Sequence, residues 1–310
     1  MSEIKRAIAL GFFDGVHIGH GALLERTKER AAQIGAMPSV LSFDVHPDNL
    51  VFGRETPLIN SAIGREDIIR RIYGIDNVVF LHFNQRLMRM PWQDFADNII
   101  QELNIGWIVV GHDFCFGYKG EGTAQRLQEY CEARGIGCDI IQPVMLDGRV
   151  VSSTYIRQLI AEGDMEQARR YLGHPHCLAN IVRSGYHLGT RMGTPTINMY
   201  FPDGVLVPKY GVYVTKVILE DGSSYVAATN VGLRPTTGDN ERANVESHIL
   251  DYSGNLYDRQ ARVEFYSYIR PERKFEDFDA LSRQIKADAE TSRNYFLQSE
   301  SSVHSFLIKI

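Results

Sequence analysis

The chain has 310 residues, which is long enough for two domains that each bury a core. Its 44% apolar and 23% charged residues are typical of a soluble globular protein, and no window approaches the ~18 consecutive apolar residues of a membrane span. A net charge of −5 disfavours nucleic acid as the main partner, because proteins that bind its phosphate backbone are usually basic.

The cysteines form no C-x-x-C pair and no spacing typical of a disulfide framework. They are Cys115, Cys131, Cys138 and Cys177. The N-terminal apolar run is too short for a signal peptide. We therefore expect reduced thiols in a cytoplasmic protein with no membrane partner.

The first half of the chain alternates apolar runs with amphipathic stretches. The predicted strands are Ile8–Leu10, Pro38–Phe43, Asn77–Phe83, Trp107–Val110 and Asp139–Pro143. The predicted helices cover residues 19–35, 66–73, 92–103, 123–134, a segment after Ser152 or Ser153, and 165–172. This order over residues 4–172 predicts a doubly wound, mostly parallel sheet.

The stretch IALGFFDGVHIGHGALLE, residues 8–25, contains a strand, a glycine-rich turn and the start of a helix. Such a turn binds phosphate, because backbone N–H groups and the helix dipole face the anion. His17 and His20 share a helix face and can reach one phosphate. Capping or surface histidines remain an alternative for H-x-G-H alone. Zinc is less favoured, because no Cys or third His lies at ligand spacing.

Other polar segments follow predicted strands, where open α/β sheets bind ligands. The segment DVHPDN contains Asp44, His46 and Pro47, and we expect it to be a ligand-binding loop. A plain turn rich in Asp, Pro and Asn is an equally good interpretation. The segment GHDFCFGYKGEGT is a second candidate phosphate-binding loop. Ser152 or Ser153 is expected to cap a helix that carries Arg157, a common structural arrangement.

We place the domain boundary near Pro175, with domains of residues 1–174 and 175–310, and interpret His174 and His176 as linker residues. Short strands and turns follow. The predicted strands are Asn180–Arg183, Gly211–Leu219, Ser224–Val231, Asn244–Ile249 and Arg262–Ile269. Asp221-Gly222 signals a hairpin. A helix over 275–299 and a short tail complete a small antiparallel barrel or sandwich.

The segment GYHLGTRMGTPTIN carries the chemistry of this half. Amides of its glycines could wrap phosphates. Thr196 and Asn198 alternate on an incoming strand, so they point the same way, and their neutral oxygens suit Mg²⁺. A glycine-proline loop with ordinary turn hydrogen bonds is the alternative.

Taken together, these motifs resemble those of prokaryotic bifunctional riboflavin kinase/FMN adenylyltransferases. GFFDGVHIGH resembles the nucleotidylyltransferase motif, and the first half also matches at GHDFCFGYKGEG and SSTYIR. The second half matches at GYHLGTRMGTPTIN, NVGLRPT, VESHILD, LYDRQARVEF and IRPERKF. The resemblance spans nearly the whole chain. It implies an α/β doubly wound nucleotidylyltransferase (Rossmann-like) domain, then a small antiparallel β-barrel riboflavin kinase domain with a C-terminal helix.

The resemblance also implies functional residues. ATP and FMN in the first domain would contact Gly11, Phe12, Phe13, Asp14, Gly15, Gly19, Gly111, Asp113, Phe116, Gly117, Ser152, Ser153 and Thr154. Charge on the ATP phosphates would be stabilised by His17, His20 and Arg157. ATP and riboflavin in the second domain would contact Gly185, Gly189, Gly193, Pro195, Asn230, Arg234 and Arg270. Thr196 and Asn198 would hold Mg²⁺, and Glu246 would be the general base.

The chain departs from the family pattern at three positions. Phe12 stands at a position where Asn is frequent in the family, and Asn180 stands where Gly is usual. Thr190 stands where Arg is usual, and Arg191 follows it. Phe12 motivates one alternative, a riboflavin kinase with a silent first domain. A non-catalytic flavin-binding regulator is the other. The main hypothesis takes ATP, riboflavin and FMN as substrates and FAD as the product.

Overall fold

The computed structural model describes residues 4–53, 55–183, 196–234 and 242–307. Its helices are α1 (Ile18–Ile34), α2 (Pro47–Phe52), α3 (Ala62–Tyr73), α4 (Gln85–Met88), α5 (Trp92–Glu102), α6 (Ala124–Glu132), α7 (Ser153–Glu162), α8 (Met165–Leu172) and α9 (Phe278–Leu307). By packing, the chain forms two compact units, Met1–Tyr155 and Ile156–Ile310. The domain boundary placed between residues 174 and 175 stays a prediction.

The strands of the first unit are β1 (Arg6–Leu10), β2 (Met37–Phe43), β3 (Asn77–Leu81), β4 (Ile105–Gly111), β5 (Cys115–Phe116), β6 (Gly122–Thr123), β7 (Gly137–Ile141), β8 (Met145–Leu146) and β9 (Arg149–Val150). Those of the second unit are β10 (His176–Ile181), β11 (Thr196–Tyr200), β12 (Gly211–Leu219), β13 (Ser224–Arg234), β14 (Arg242–Ile249) and β15 (Gln260–Arg270).

The first unit is built on a parallel sheet of order β3-β2-β1-β4-β7. This confirms the predicted doubly wound α/β fold. The buried core includes Ile8, Leu41 and Ile108, which come from three neighbouring strands. The strand order reverses between β1 and β4, and the carboxyl ends of these strands border a crevice where such sheets bind ligands.

Helix α1 begins and ends at local signals in the sequence. The Nδ1 atom of His17 accepts a hydrogen bond from the backbone N–H of His20 at 3.2 Å, so His17 caps the helix. Gly35 ends it with a φ of 62°, the left-handed conformation that favours glycine at this position. The prediction for this helix is therefore confirmed.

The segment DVHPDN is not a loop throughout, as we expected. Helix α2 begins at Pro47, and the Nδ1 atom of His46 accepts a hydrogen bond from the N–H of Asp48 at 3.2 Å. Proline is favourable at the first position of a helix because its missing N–H needs no partner there. A composition typical of turns is thus also typical of a helix start.

The second unit is an antiparallel sheet of order β10-β15-β12-β13-β14-β11. It curls until its edge strands meet, where the N–H of Arg183 donates to the carbonyl of Asn198 at 2.8 Å. The amide of Asn180 also donates to the carbonyl of Tyr200 at 2.9 Å. These contacts join β10 to β11 and confirm the predicted antiparallel barrel with a C-terminal helix.

Two elements of this unit differ from the prediction. Strand β10 begins at His176, so this residue is not part of a linker: it is 1% exposed and pairs with Phe265 of β15. Burial lowers the pKa of His176 to about 3. Helix α9 begins at Phe278 and continues to Leu307, through most of the expected tail.

None of the four cysteines, all of which lie in the described ranges, forms a disulfide. Of the helices in the described ranges, none is both long and apolar enough to cross a bilayer.

Candidate active sites

The glycine turn, which we define as residues 11–17, follows β1. Phe13 and Val16 are fully buried and have positive φ angles of 58° and 43°. Non-glycine residues in this region cost about 1–3 kcal/mol each and persist only where surrounding contacts hold them. Strain of this kind is concentrated at functional sites, which supports the turn as a binding element.

Contacts from three other segments hold the glycine turn. A carboxylate oxygen of Asp14 accepts a hydrogen bond from the N–H of Ile59 at 2.8 Å. The hydroxyl of Ser153 donates to the carbonyl of Asp14 at 2.9 Å, and that of Ser42 donates to the carbonyl of Phe12 at 2.8 Å. Asp14 and Ser153 therefore support the backbone of the turn, while a contact of either with nucleotide stays a prediction.

His17 and His20 are stacked, with ring centroids 3.6 Å apart and planes inclined by 12°. Because Nδ1 of His17 accepts a hydrogen bond, the proton of the neutral ring lies on Nε2. Burial, followed by the charges of His17 and Arg65, lowers the pKa of His20 well below its usual value. His20 is thus neutral near pH 7, and it offers a phosphate a ring N–H instead of a full charge.

Several predicted glycines have steric reasons to be glycine. A Cβ atom on Gly19 would lie 3.1 Å from the His17 ring, and one on Gly11 would lie 3.1 Å from the Phe13 ring. Gly117 has a φ of 73°, and its Cβ atom would lie 2.5 Å from Cα of Trp92. Close packing explains these positions, and contact with a nucleotide remains a prediction for them.

The second predicted loop follows β4, at the same edge of the sheet as the glycine turn. Gly111 ends the strand, and the side chain of Asp113 is exposed. Phe116 is only 8% exposed and packs against Phe95 and Phe114 in the core. The core accounts for Phe116 without a ligand, so its predicted contact with nucleotide or flavin is untested.

Helix α7 carries the last predicted residues of this site. The hydroxyl of Ser152 accepts a hydrogen bond from the N–H of Tyr155 at 3.4 Å, which confirms the predicted cap. Thr154 is exposed, and Arg157 is partly buried one turn into the helix. Their roles at the ATP phosphates stay predictions.

The second unit contains a cavity of about 280 Å³. Four predicted residues line it: Thr196, Asn230, Glu246 and Arg270. The apolar part of its lining comes from Val212, Ala228, Phe275, Leu281 and Ile285. The cavity therefore presents both polar and apolar surface to a ligand.

Glu246 belongs to the polar part of the lining. It is half-buried on β14, opposite Asn198 of β11 on one side and Asn230 of β13 on the other. Its Oε1 atom accepts a hydrogen bond from the hydroxyl of Thr196 at 2.9 Å. Strand register thus brings together residues that are up to 50 positions apart in the chain.

Thr196 and Asn198 share one face of β11, as their alternation predicts. Asn198 is 3% exposed, and its Oδ1 atom accepts a hydrogen bond from the amide of Asn244 at 3.2 Å. The Oδ1 atom of Asn244 is buried, with no hydrogen-bond partner among the described residues. Neutral oxygens are therefore concentrated beside Glu246.

Other predicted residues cannot be placed. Gly185, Gly189, Gly193 and Pro195 lie outside the described residues, as do Thr190 and Arg191. Arg234 ends β13, but its side chain is not described.

Sequence analysis missed two carboxylates in the cavity. Glu272 accepts a hydrogen bond from the amide of Asn230 at 2.9 Å. Asp288 on α9 is 3% exposed and binds the guanidinium of Arg270, with a shortest distance of 2.7 Å. A signal for Asp288 was present, because this charged residue interrupts the apolar face formed by Ile285 and Ala289.

Arg65 was also missed. Its side chain on α3 is fully buried and reaches the glycine turn. Arg65 precedes Ile68 and Ile69 by three and four positions, so helical periodicity places it on the buried face of α3. An arginine on such a face was the available signal.

The architecture defines a class: a nucleotidylyltransferase-like α/β unit followed by a barrel unit with a polar and apolar cavity. Residues 1–155 match the family model for FAD synthetase, and residues 172–296 match the one for riboflavin kinase. The chain therefore belongs to the bifunctional riboflavin kinase/FMN adenylyltransferase family, which confirms the resemblance.

Individual relatives agree with this assignment. The bifunctional riboflavin kinase/FMN adenylyltransferase of Pseudomonas fluorescens is 38% identical over 92% of this chain and 91% of its own. The bifunctional riboflavin kinase/FMN adenylyltransferase of Listeria monocytogenes is 32% identical over 96% of this chain and 95% of its own. Among solved structures, one described as a macrolide-efflux protein from Streptococcus pneumoniae is 30% identical, with a TM-score of 0.80 over 95% of both chains.

Proposed function

We propose that this chain makes FMN and FAD. The barrel unit would transfer a phosphoryl group from ATP to riboflavin, and the α/β unit would transfer an adenylyl group from ATP to FMN. Family membership supports both activities. The observation that carries the proposal is Glu246, held by Thr196 in a cavity between Asn198 and Asn230.

In the barrel, Glu246 would accept the proton of the terminal ribityl hydroxyl. The resulting oxygen would attack the γ-phosphorus of ATP, and the bond to the β-phosphate oxygen would break to release ADP. The apolar residues of the cavity suit the flavin ring. Because phosphoryl transfer depends mainly on positioning and charge stabilisation, one carboxylate is enough for the proton step.

The donor set beside Glu246 fits Mg²⁺. Thr196 donates its proton to Glu246, which leaves its oxygen lone pairs available, and Asn198 adds an amide oxygen. A bound Mg²⁺ would neutralise charge on the ATP phosphates. The predicted contacts of Gly185, Gly189, Gly193, Pro195, Asn230, Arg234 and Arg270 with ATP or riboflavin belong to the same proposal.

In the α/β unit, a phosphate oxygen of FMN would attack the α-phosphorus of ATP, and pyrophosphate would leave. The nucleophile comes from the substrate, so the protein has to bind, align and stabilise charge. The glycine turn, His17 and His20 would face the phosphates, and Arg157 would supply a positive charge. The proposal includes a cytoplasmic location and small-molecule partners without nucleic acid.

Variants of each unit test this division. Thr196→Ala combined with Asn198→Ala should abolish formation of FMN from riboflavin, while FAD should still form from added FMN. His20→Ala should reduce formation of FAD from added FMN, while FMN should still form from riboflavin. His82→Ala is a matched control, because this histidine of the first unit has a side chain 70% exposed and lies directly after β3, outside the glycine turn and α1. Chromatography of the products over time measures both reactions.

The same chromatography separates the alternatives. Wild-type protein with riboflavin, ATP and Mg²⁺ should form FMN first and then FAD. FMN that accumulates without FAD would mean that the first unit is silent. Unchanged riboflavin would contradict both activities and favour a flavin-binding protein. Parallel loss of both reactions in the folded double variant would contradict the division between units.

A further inference from the structure

Arg65 is among the largest fully buried side chains of the described residues. Burial lowers its pKa to about 10, so the guanidinium remains charged at neutral pH. Placing a cation where no water reaches it is costly, and an apolar residue would often serve stability as well or better. The charge at this position therefore calls for a functional reason.

The guanidinium of Arg65 links the ends of two strands. One nitrogen, Nη1, donates to the carbonyl of Phe12 and to the hydroxyl of Ser42, the latter at 3.0 Å. The other, Nη2, donates to the carbonyl of Phe43 at 2.8 Å. Its Cζ atom also lies over the Phe12 ring, 4.5 Å from the centroid. All three acceptors are uncharged, so these bonds orient backbone and do not neutralise the cation.

The Phe12 carbonyl sits at the point where the glycine turn becomes strained. It precedes Phe13, whose φ of 58° is unfavourable for a residue with a side chain. In a trans peptide the C=O and the following N–H point in opposite directions. By holding the Phe12 carbonyl inward, Arg65 directs the N–H of Phe13 away from itself and fixes the peptide plane at the start of the turn.

The charge of Arg65 also reaches the start of α1. Its positive charge is one of the causes that lower the pKa of His20, the others being burial and His17. Burial lowers the pKa of Arg65, whereas the carboxylates of Asp14 and Asp44 raise it. Charges interact more strongly in a poorly solvated site than in water, so a cation behind the turn would attract phosphate without touching it.

We infer that Arg65 is a positioning residue for adenylyl transfer. It holds the glycine turn in the conformation that receives the ATP phosphates and places a positive charge behind that turn. This inference rests on the proposed adenylylation of FMN. It differs from a purely structural role, in which Arg65 would affect the stability of the fold and leave the affinity for ATP unchanged.

Two substitutions at this position separate charge from packing. Arg65→Gln, which removes the charge, should raise the KM for ATP in FAD formation about tenfold or more, while the KM for FMN changes little. Arg65→Lys, which keeps the charge, should recover most of the affinity for ATP. Formation of FMN from riboflavin, measured in the same preparation, should be unchanged because it occurs in the other unit.

Arg71→Gln is the matched control, because Arg71 lies on the same helix with a partly exposed side chain and pairs with Asp67. All its constants should equal those of the wild type. A wild-type KM for ATP in folded Arg65→Gln protein would overturn the inference. Equal losses in Arg65→Gln and Arg65→Lys would overturn the role of the charge.

If Arg65→Gln does not fold, Ser42→Ala tests how the Phe12 carbonyl is held, because the hydroxyl of Ser42 also donates to that carbonyl. A raised KM for ATP would support the inference, and wild-type kinetics would contradict it. Failure of the proposed function would be seen differently: wild-type protein itself would then make no FAD from FMN.

Discussion

Glu246 is the residue whose replacement should separate chemistry from binding in the barrel. Glu246→Gln keeps an acceptor for the Thr196 hydroxyl but removes the proton acceptor. We expect the kcat for FMN formation to fall by about 10²–10⁴, the usual contribution of general-base catalysis, with small changes in KM. Steady-state kinetics with riboflavin and ATP measures this.

Glu264→Gln is the control for that experiment. Glu264 is a buried strand carboxylate of the same unit, bound to Arg262 and Tyr266. Its replacement should leave kcat near the wild-type value in folded protein. A Glu246→Gln variant with undiminished kcat would remove Glu246 from the proton step.

His176 should make the stability of the second unit depend on pH. The pKa of this histidine is about 3 in the fold because it is buried, compared with 6.5 as its ordinary value, and neither ring nitrogen has a hydrogen-bond partner among the described residues. The unfolded chain therefore binds a proton that the folded chain does not. Stability is complete above pH 6.5 and declines as the pH falls toward 3, by at most about 1.4 kcal/mol per pH unit.

The substitution His176→Phe removes this titration and keeps an aromatic ring beside Phe265. We expect it to flatten the loss of unfolding free energy between pH 7 and pH 5, measured by denaturant titration at both values. His82→Phe, in the first unit, should leave the slope for the second unit at its wild-type value. An unchanged slope in His176→Phe would show that other groups cause the acid sensitivity.

Among the elements, β12 and β15 approach each other closely at Gly211. Its φ is 145°, and a Cβ atom there would lie 2.4 Å from the carbonyl oxygen of Arg270, which lines the cavity. Gly211→Ala should push the two strands apart at this end, at a cost of about 1–3 kcal/mol in stability. We expect weaker formation of FMN, with formation of FAD from added FMN unchanged.

Gly222→Ala provides the comparison, because Gly222 has a φ of 82° but no atom within 4 Å of the added Cβ. It should cost about 1 kcal/mol of local strain and leave both activities intact. Thermal unfolding and product formation distinguish the two variants. Equal effects on FMN formation would mean that strand separation at Arg270 does not affect the site.

Elements with local signals were predictable. Helix α1 has its cap at His17 and its end at Gly35, so its limits depend on residues next to it. The first part of strand β10 was not predictable, although its end overlaps the predicted strand Asn180–Arg183. Its first residue, His176, is a strand residue only through pairing with Phe265, nearly 90 positions later. Pairing partners at that distance are not visible in a local pattern of apolar residues.

For the whole molecule, the two units keep the two reactions chemically separate. One unit has a strained glycine turn with paired histidines, and the other has a carboxylate among neutral oxygens. Each substitution of a candidate active-site residue is therefore expected to change one activity, and the other activity serves as a measure of intact protein. Loss of one activity with retention of the other, in opposite directions for the two sites, tests the assignment of one reaction to each unit.

The sequence by itself determined the family, the order of the α/β and barrel units, and the residues that carry motifs, including His17, Thr196 and Glu246. These depend on residue types at fixed local spacing. Only the tertiary structure decided that Arg65 reaches Phe12, that Asp288 binds Arg270, and that the buried ring nitrogens of His176 have no hydrogen-bond partner among the described residues. The physical reason is that burial and hydrogen bonds between distant segments arise from packing, which creates environments that no local pattern encodes.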